Sequence, residues 1–300
     1  MSTVRTVLDV VNLAAGHLKA SGVPGPRLDA EVLLGHVLGL ERIQLYVQHD
    51  RPLTRQELDA YRSAIARRAR REPVAYITGE REFYGRAFAV DRRVLVPRPE
   101  TEHLVEAALE GLRSAFPRAE RFNVADVGTG SGAIAVTLAC EDERVWAIAT
   151  DISEGALEVA KINAERHGVR SRVALRRGDL FSPLAGERFH AVVSNPPYIP
   201  EAVYPTLAPE VRVFEPRTAL VGGRDGLDVI RALIEGASHH LVPGGFLAME
   251  IGHDQGEAVR RIARARGLEN VRILPDLAGR DRVAVIEAPG AGVYQGDRRE

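Results

Sequence analysis

The chain has 300 residues, of which 45% are apolar and 27% are charged, and these values are typical of a globular protein of about two domains. A formal net charge of −1 argues against the broad basic surface with which many proteins neutralise nucleic-acid phosphates. The single cysteine excludes an internal disulfide and a cysteine-rich zinc site, and no apolar run approaches the ~20 residues that span a bilayer. We therefore expect a cytoplasmic protein that contacts neither a membrane nor nucleic acid.

Residues 1–73 are predicted to form a small helical domain, because their apolar residues recur at helical spacing. Thr54 and Glu57 have the spacing of a capping box, which places the start of one helix at Thr54. Arginines at positions 67, 68, 70 and 71 crowd the end of that helix. We interpret them as a solvated helix end that complements the helix dipole.

Residues 74–98 carry a different pattern, with short β-prone pieces at 74–77, 82–90 and 94–96. Gly79 separates the first two pieces and Gly85 breaks the second, as turn residues separate the strands of a hairpin. We therefore predict a β-hairpin linker between the helical domain and the remainder of the chain.

From residue 99 to residue 288 strands and helices alternate, which predicts an α/β domain with a parallel sheet covered on both faces. The strand candidates are 122–127, 145–150, 173–176, 190–194, 245–251, 271–274 and 282–287. Residues 275–281 alone join the last two strands and are too few for a crossover helix, so the last strand is predicted to pair antiparallel. Residues 289–300 are predicted to be a disordered tail.

A glycine-rich segment follows the first strand of the predicted sheet and precedes a helix. Residues 126–132 read Asp-Val-Gly-Thr-Gly-Ser-Gly, and glycines let the backbone approach a ligand closely. The segment fits a methyltransferase cofactor loop. Gly128, Gly130 and Ala133 also satisfy the looser dinucleotide pattern, so an NAD-dependent oxidoreductase remains an alternative at this point.

Acidic residues stand at the ends of the next two strands. Asp151 ends the second strand, where a carboxylate can accept hydrogen bonds from both ribose hydroxyls of a nucleoside. Asp179 follows the third strand and can accept from an adenine amino group, while Leu180 packs on the ring. Since the carboxyl ends of parallel strands meet at one edge, we expect these residues to line one cleft.

Residues 195–198 read Asn-Pro-Pro-Tyr and follow the fourth strand, so they point into the same cleft. An amide nitrogen is a poor nucleophile, because its lone pair is delocalised into the carbonyl group. The side-chain oxygen of Asn195 and the carbonyl of Pro196 can each accept one N–H, which aims the nitrogen at a methyl donor. Tyr198 offers a flat face for a planar amide or base.

The same tetrapeptide serves any planar amino group, including guanine N2 in ribosomal RNA and adenine N6 in DNA. It therefore predicts the reaction and leaves the substrate open. We expect no metal requirement, because His239 and His240 are adjacent and no carboxylate-rich cluster has the spacing of metal ligands.

Nearly the whole chain resembles the protein-(glutamine-N5) methyltransferases of peptide chain release factors, the PrmC or HemK family. Besides the glycine loop and Asn-Pro-Pro-Tyr-Ile at 195–199, matching segments follow in the family's order. They are Val-Pro-Arg-Pro-Glu-Thr-Glu at 96–102, Glu-Pro at 215–216, Ala-Leu at 219–220, Gly-Gly-Arg-Asp-Gly-Leu at 222–227, Glu-Ile-Gly at 250–252 with Gln255, and Asp-Leu-Ala-Gly-Arg-Asp-Arg at 276–282.

The resemblance implies a helical N-terminal domain, a β-hairpin linker and a class I, Rossmann-like methyltransferase domain with seven strands. It implies transfer of a methyl group from S-adenosylmethionine to the glutamine of the Gly-Gly-Gln loop in class-1 release factors, with S-adenosylhomocysteine as product. Separately, we expect the enzyme to be a monomer. The residues expected at the cofactor are Gly128, Thr129, Gly130, Ser131, Gly132, Asp151, Asp179, Leu180 and Asn195. Those expected at the glutamine are Asn195, Pro196, Pro197 and Tyr198.

The resemblance also bears on Leu180 and on the charged residues at 98–102. Some relatives carry an aromatic residue where this chain has Leu180, so aliphatic packing on adenine is expected here. Arg98, Glu100 and Glu102 either shape the site or provide the charge pattern of a helix N-terminus.

Overall fold

The computed structural model describes residues 5–288, which form two compact units. Within the described residues, the first unit comprises residues 5–80 together with Ala208–Phe214, and the second comprises Arg81–Leu207 together with residues 215–288. The segment 289–300, for which the sequence predicts a disordered tail, lies outside the described residues. Among residues 5–288 no helix is long and apolar enough to cross a membrane.

Helices predominate up to residue 78, and strands and helices alternate after residue 120. The helices are α1 (Val7–Ala20), α2 (Pro26–Leu38), α3 (Arg42–Val47), α4 (Arg55–Ala69), α5 (Val74–Thr78), α6 (Glu102–Ala115), α7 (Ala133–Glu141), α8 (Glu154–Arg166), α9 (Pro209–Phe214), α10 (Asp228–His240) and α11 (Gly256–Arg264). The strands are β1 (Glu80–Phe83), β2 (Arg86–Ala89), β3 (Phe122–Val127), β4 (Val145–Asp151), β5 (Val173–Arg177), β6 (Phe189–Ser194), β7 (Leu241–Glu250), β8 (Val271–Pro275) and β9 (Asp281–Glu287).

The first unit is helical, as predicted, and α1, α2 and α4 enclose its core. Leu18, Leu33 and Tyr61 are among the side chains that these helices bury. The predicted capping box at α4 is confirmed, because the Thr54 hydroxyl accepts from the Glu57 N–H at 3.3 Å and Glu57 accepts from the Thr54 N–H at 2.8 Å. These bonds satisfy backbone donors at the exposed helix start.

The interpretation of the arginines at the end of α4 as a solvated helix end was wrong for Arg68 and Arg71, because both are paired with carboxylates. Arg68 is buried, and its guanidinium lies 2.6 Å from Asp29 Oδ2 and 2.9 Å from Glu210 Oε1. Arg71 binds the other oxygen of Glu210 at 2.6 Å. Burial opposes ionisation of Glu210, but the arginine hydrogen bonds outweigh it and lower its pKa. Carboxylates distant in sequence converge here, which the local charge pattern did not reveal.

Two of the predicted β-prone pieces are not strands. Residues 74–77 belong to α5, where the Pro73 carbonyl accepts from the Tyr76 N–H at 3.0 Å, and Ala75, Tyr76 and Ile77 are buried. Burial of these side chains outweighs their β propensity. Residues 94–96 lie in irregular chain after a turn at Asp91. The hairpin itself is confirmed, with β1 and β2 pairing as a two-stranded sheet.

The second unit has a seven-stranded sheet in the order β5-β4-β3-β6-β7-β9-β8. Strands β3 to β7 pair parallel, whereas β9 pairs antiparallel with both β7 and β8, which confirms the predicted direction of the last strand. The α/β methyltransferase-type fold expected from the sequence is therefore present.

Helices cover both faces of this sheet. Helices α6, α7 and α8 pack on one face and α10 and α11 on the other, and each face has its own apolar core. Neighbouring residues of one strand serve different cores, as Val124 and Ala125 of β3 do, because successive side chains point to opposite faces. The parallel register brings the carboxyl ends of β3, β4 and β6 to the same edge.

Candidate active site

A cavity of about 350 Å³ lies at the carboxyl edge of the seven-stranded sheet. All of its lining residues belong to the second unit. The sequence-predicted residues that line it are Gly128, Thr129, Gly130, Ser131, Asp151, Asp179, Leu180, Asn195, Pro196 and Pro197. Gly132 follows Ser131 and Tyr198 follows Pro197 in the sequence, but neither residue lines the cavity.

The glycine loop joins β3 to α7 and exposes bare backbone to the cavity. Gly128, Gly130 and Gly132 have φ angles of +77°, +56° and +80°, a region in which residues with a Cβ atom are strained. A Cβ on Gly132 would also lie 3.1 Å from the Cβ of Ala160 on α8. Only glycines therefore allow this loop to turn and the helix to pack behind it.

Asp126 supports the loop from below, a role that the sequence analysis did not assign. Its Oδ2 accepts from the Thr129 hydroxyl at 2.7 Å and from the Ala135 N–H at 3.1 Å, so it joins the loop to α7. Its Oδ1 is buried without a hydrogen-bond partner among the described residues. Burial raises the pKa of Asp126 to about 6.

Asp151, at the end of β4, lies at the side of the cavity. Its Oδ2 accepts from the Gly130 N–H and its Oδ1 from the Ser153 N–H, both at 2.9 Å. These bonds fix the carboxylate beside the glycine loop. Each oxygen retains capacity for a further hydrogen bond, which is what a ribose diol requires.

Asp179 and Leu180 follow β5 at the same edge. Asp179 is exposed, whereas Leu180 is half-buried and packs on the core beneath α10 and α11. Leu180 has a φ of +46°, a conformation that costs a residue of this kind on the order of 1–3 kcal/mol. In this conformation Leu180 packs on the core and also lines the cavity, where it provides an apolar wall.

Asn195 and Pro196 follow β6 directly. The Ser194 hydroxyl donates to the Val127 carbonyl at 2.7 Å and ties the end of β6 to the end of β3. The motif is thereby held beside the glycine loop. Asn195 is half-buried, and its Nδ2 donates to the Thr101 hydroxyl oxygen at 3.1 Å.

Tyr198 points toward the protein interior. Its ring packs on the core beneath α10 and α11, and its hydroxyl donates to Glu250 Oε1 at 3.1 Å. Burial raises the pKa of Tyr198, and the charge of Glu250 raises it further, so the hydroxyl remains a donor. Stacking of Tyr198 on a substrate amide stays a prediction.

A second glycine loop, at 222–226, closes on the backbone of the motif. A Cβ on Gly222 would lie 2.3 Å from the Pro197 carbonyl oxygen, and a Cβ on Gly226 would lie 2.2 Å from that of Tyr198. The Gln255 amide donates to the same Tyr198 oxygen at 3.0 Å. The motif's backbone is therefore enclosed by residues whose only signal in the sequence was their place in the matching segments.

The charged residues at 98–102 have separable roles. Arg98 binds Glu215 at 2.5 Å, and although burial raises the pKa of Glu215, this arginine opposes the rise. The pair fixes the segment that includes Pro216, which lines the cavity. Glu102 accepts from the Tyr84 N–H at 2.9 Å and so holds the hairpin, whereas Glu100 is exposed.

The chain between the hairpin and α6 also lines the cavity, and the sequence analysis did not place it there. Val94, Leu95, Pro97 and Thr101 all contribute. For Pro97 and Thr101 the signal was the matching segment at 96–102, which carried no chemistry recognisable from residue types, whereas Val94 and Leu95 precede that segment. Among residues 5–288 there is no group of three or more His, Cys, Asp or Glu residues that could hold a metal ion.

Two family models match this chain. The family model for the PrmC N-terminal domain matches residues 9–79, and that for the methyltransferase small domain matches residues 103–208. The N-terminal domain of human METTL16, solved in complex with SAH, shares the fold with a TM-score of 0.51, at 16% identity and over 68% of this chain and 76% of that one.

Curated relatives are much more similar. The release factor glutamine methyltransferase of Moorella thermoacetica is 48% identical over 92% of this chain and 96% of its own length. That of Koribacter versatilis is 45% identical over 95% and 99%. The chain belongs to the release factor glutamine methyltransferase family.

Proposed function

We propose that this protein transfers a methyl group from S-adenosylmethionine to the N5 side-chain amide of the glutamine in the Gly-Gly-Gln motif of class-1 release factors, in the cytoplasm. One observation carries the proposal. The acceptor pair Asn195 and Pro196 lines the same cavity as the glycine loop and Asp151. A nucleoside site and a site for a planar amide therefore share one cavity in a chain of this family.

The residues present fit S-adenosylmethionine. The bare backbone at Gly128 and Gly130 leaves room for a ligand, since a Cβ at either position would meet no atom within 4 Å. Asp151 can accept from the ribose hydroxyls, while Leu180 and Ile152 offer apolar surface to the adenine and Asp179 an acceptor for its amino group. When bound, the cofactor supplies a methyl group on a positively charged sulfur atom.

The amide of the substrate needs orientation more than activation by a strong base. Asn195 Oδ1 and the Pro196 carbonyl can accept its two N–H groups, which fixes the nitrogen in one position. The same two acceptors stabilise the positive charge that develops on the nitrogen as the new bond forms. One N–H bond is replaced by N–CH₃, and the proton is released.

The first unit is proposed to dock the release factor. It is the part matched by the PrmC N-terminal domain, and on α3 it exposes Ile43 and Val47, which are one helical turn apart. These two neighbouring exposed apolar side chains are the reason for placing the proposed docking surface on α3.

The test is transfer of labelled methyl from S-adenosylmethionine to a purified class-1 release factor, beside a variant in which the Gly-Gly-Gln glutamine is alanine. We expect label on the intact factor and none on the variant. Label that appears equally on both would place the modification elsewhere. Label on RNA or DNA, with none on the factor, would support a nucleobase amino group as the substrate instead. An oxidoreductase would give no transfer and leaves residues 195–198 without a role.

A further inference from the structure

The side-chain amide of Asn195 has an acceptor end and a donor end, and only its oxygen can accept a substrate N–H. The amide must therefore be held in one of two orientations that differ little in shape. Residues 195–198 alone do not determine which orientation is adopted. The side chains behind Asn195 do.

Asn195 is the first member of a hydrogen-bonded chain that leads into the protein interior. Its Nδ2 donates to Thr101 Oγ1 at 3.1 Å, and the Thr101 hydroxyl donates to Glu250 Oε2 at 2.6 Å. Thr101 is only 4% exposed and Glu250 only 1%. Thr101 ends a short 3-10 segment, Pro99–Thr101, and Glu250 ends β7, so both are fixed by regular structure.

The number of available protons determines the direction of each hydrogen bond from Asn195 through Thr101 to Glu250. A threonine hydroxyl has one proton, and while Glu250 is ionised the short bond to its carboxylate commits that proton to Glu250. Burial raises the pKa of Glu250, and the hydrogen bonds from Thr101 and Tyr198 oppose that rise. The Thr101 oxygen can then only accept, which requires the NH₂ end of Asn195 to face it. Asn195 Oδ1 is consequently free to accept from a ligand.

The other oxygen of Glu250 holds the end of the motif, because Oε1 accepts from the Tyr198 hydroxyl at 3.1 Å. One buried carboxylate therefore holds both ends of residues 195–198, Tyr198 directly and Asn195 through Thr101. Its closest cationic group among the ion pairs is Arg282, at 4.0 Å, and Arg282 also lies 3.3 Å from Asp276. A carboxylate this deeply buried is costly unless its oxygens are hydrogen-bonded, and here each accepts from one hydroxyl.

We propose that Thr101 and Glu250 are positioning residues for methyl transfer, which hold Asn195 with its acceptor oxygen toward the substrate amide and fix the ring of Tyr198. This inference rests on the proposed function for its kinetic test but not for its structural one. Neither residue needs to touch the reacting atoms. Their effect is carried by the orientation of the side chains that do.

Thr101→Val removes the hydroxyl and keeps the shape, while Thr101→Ser keeps the hydroxyl. We expect Thr101→Val to lower kcat for release-factor methylation by ~10- to 100-fold with little change in KM or in cofactor affinity, because orientation is lost. Thr101→Ser should remain within about 3-fold of the wild type, since its hydroxyl makes the same bonds.

Thr137→Val is the matched control. Thr137 is fully buried in α7, and its hydroxyl has no hydrogen-bond partner among the described residues. The same chemical change there should leave kcat unaltered. Glu250→Gln should lower kcat at least as much as Thr101→Val, and the double variant should be no slower than Glu250→Gln, because the two residues act in series. If the fold-loss in kcat of the double variant equalled the product of the two single fold-losses, Thr101 and Glu250 would not act in series.

A measurement that needs no substrate separates this inference from the proposed function. In isotope-labelled protein, the side-chain NH₂ signals of Asn195 are identified by their loss in Asn195→Ala. In Thr101→Val their protons should exchange with water ~5-fold faster or more, whereas in Thr137→Val they should not change. Unchanged exchange in Thr101→Val would overturn the inference. If no release factor is methylated, the proposed substrate fails, and the exchange comparison still decides the inference.

Discussion

Asn195 contributes its side-chain amide to the cavity, and its role in the proposed methyl transfer depends on one oxygen atom. The Asn195 backbone is positioned by β6, which ends at Ser194, and its amide by Thr101. The residue-scale predictions therefore concern single polar atoms whose loss changes little else in the fold.

Asn195→Ala is expected to lower the rate of methyl transfer by ~10²- to 10³-fold, as the loss of one preorganised polar contact does at other reacting centres. Single-turnover transfer of labelled methyl to the release factor measures this rate. Cofactor affinity by calorimetry should change much less. Asn270→Ala, at an exposed asparagine, is the control. A rate equal to that of the control would remove Asn195 from the mechanism.

Asp126 gives a prediction about stability and pH. Its pKa rises from 3.8 to about 6 on folding, so the folded state binds the proton more tightly. Its contribution to stability is therefore present below about pH 4 and is lost as the pH rises through about 6. Asp126→Asn cannot titrate and should not lose this contribution. The free energy of unfolding of the variant minus that of the wild type should therefore increase by up to about 3 kcal/mol between pH 4 and pH 7.

Urea unfolding of both proteins across that range measures the difference. The test is how this difference in the free energy of unfolding changes with pH and not its absolute value, because an asparagine also changes the hydrogen bonds to Thr129 and Ala135. A difference that is independent of pH would show that Asp126 does not titrate in this window.

At the scale of elements, the position of the backbone at residues 197–198 depends more on the loops that contact it than on the strands that precede those loops. The loop at 222–226 and the start of α11 hold the backbone of residues 197–198 through close approach and one amide hydrogen bond. The strands only bring these loops to the same edge of the sheet. A change in the second glycine loop should therefore reach the site although no residue of the motif is altered.

Gly226→Ala is expected to lower kcat by ~10-fold or more and the free energy of unfolding by about 1–3 kcal/mol. The added Cβ would lie 2.2 Å from the Tyr198 oxygen, at a φ of +77°. Gly244→Ala is the matched control, since its φ is +76° and its Cβ would meet nothing within 4 Å. Both variants carry the backbone strain, and only the first carries the clash. Equal kcat values in the two would exclude the clash as a cause.

At the scale of the whole molecule, the two units have separate tasks in the proposed function. The cavity belongs entirely to the second unit, and the proposed docking surface, Ile43 and Val47, belongs to the first. Binding of a protein substrate and binding of the cofactor should therefore respond to different substitutions.

The Ile43→Ser, Val47→Ser double variant should raise KM for the release factor by ~10-fold or more and leave cofactor affinity unchanged, because two exposed apolar contacts are lost. Their exposures are 65% and 74%. Leu277→Ser is the control, at a 97% exposed leucine of the second unit. Steady-state methylation over a range of release-factor concentrations measures the effect. An unchanged KM would exclude this surface as the docking site.

The sequence predicted those features that follow from local pattern. Alternating strands and helices indicated the sheet, the short 275–281 connection indicated an antiparallel last strand, and the glycine loop and residues 195–197 were expected at one cleft, where both line the same cavity. The prediction failed at residues 74–77 and at Arg68, where burial and distant carboxylates outweigh local propensity and local charge.

The sequence by itself determined the family and the chemistry of the groups that line the cavity, because those depend on residue type and on spacing along the chain. Only the tertiary structure decided which way the Asn195 amide faces, that Tyr198 points inward, and that Thr101 and Glu250 stand behind both. Each of the hydrogen bonds among these side chains joins residues more than 50 positions apart in sequence. Hydrogen-bond direction depends on positions in space, and no spacing in the sequence encodes it.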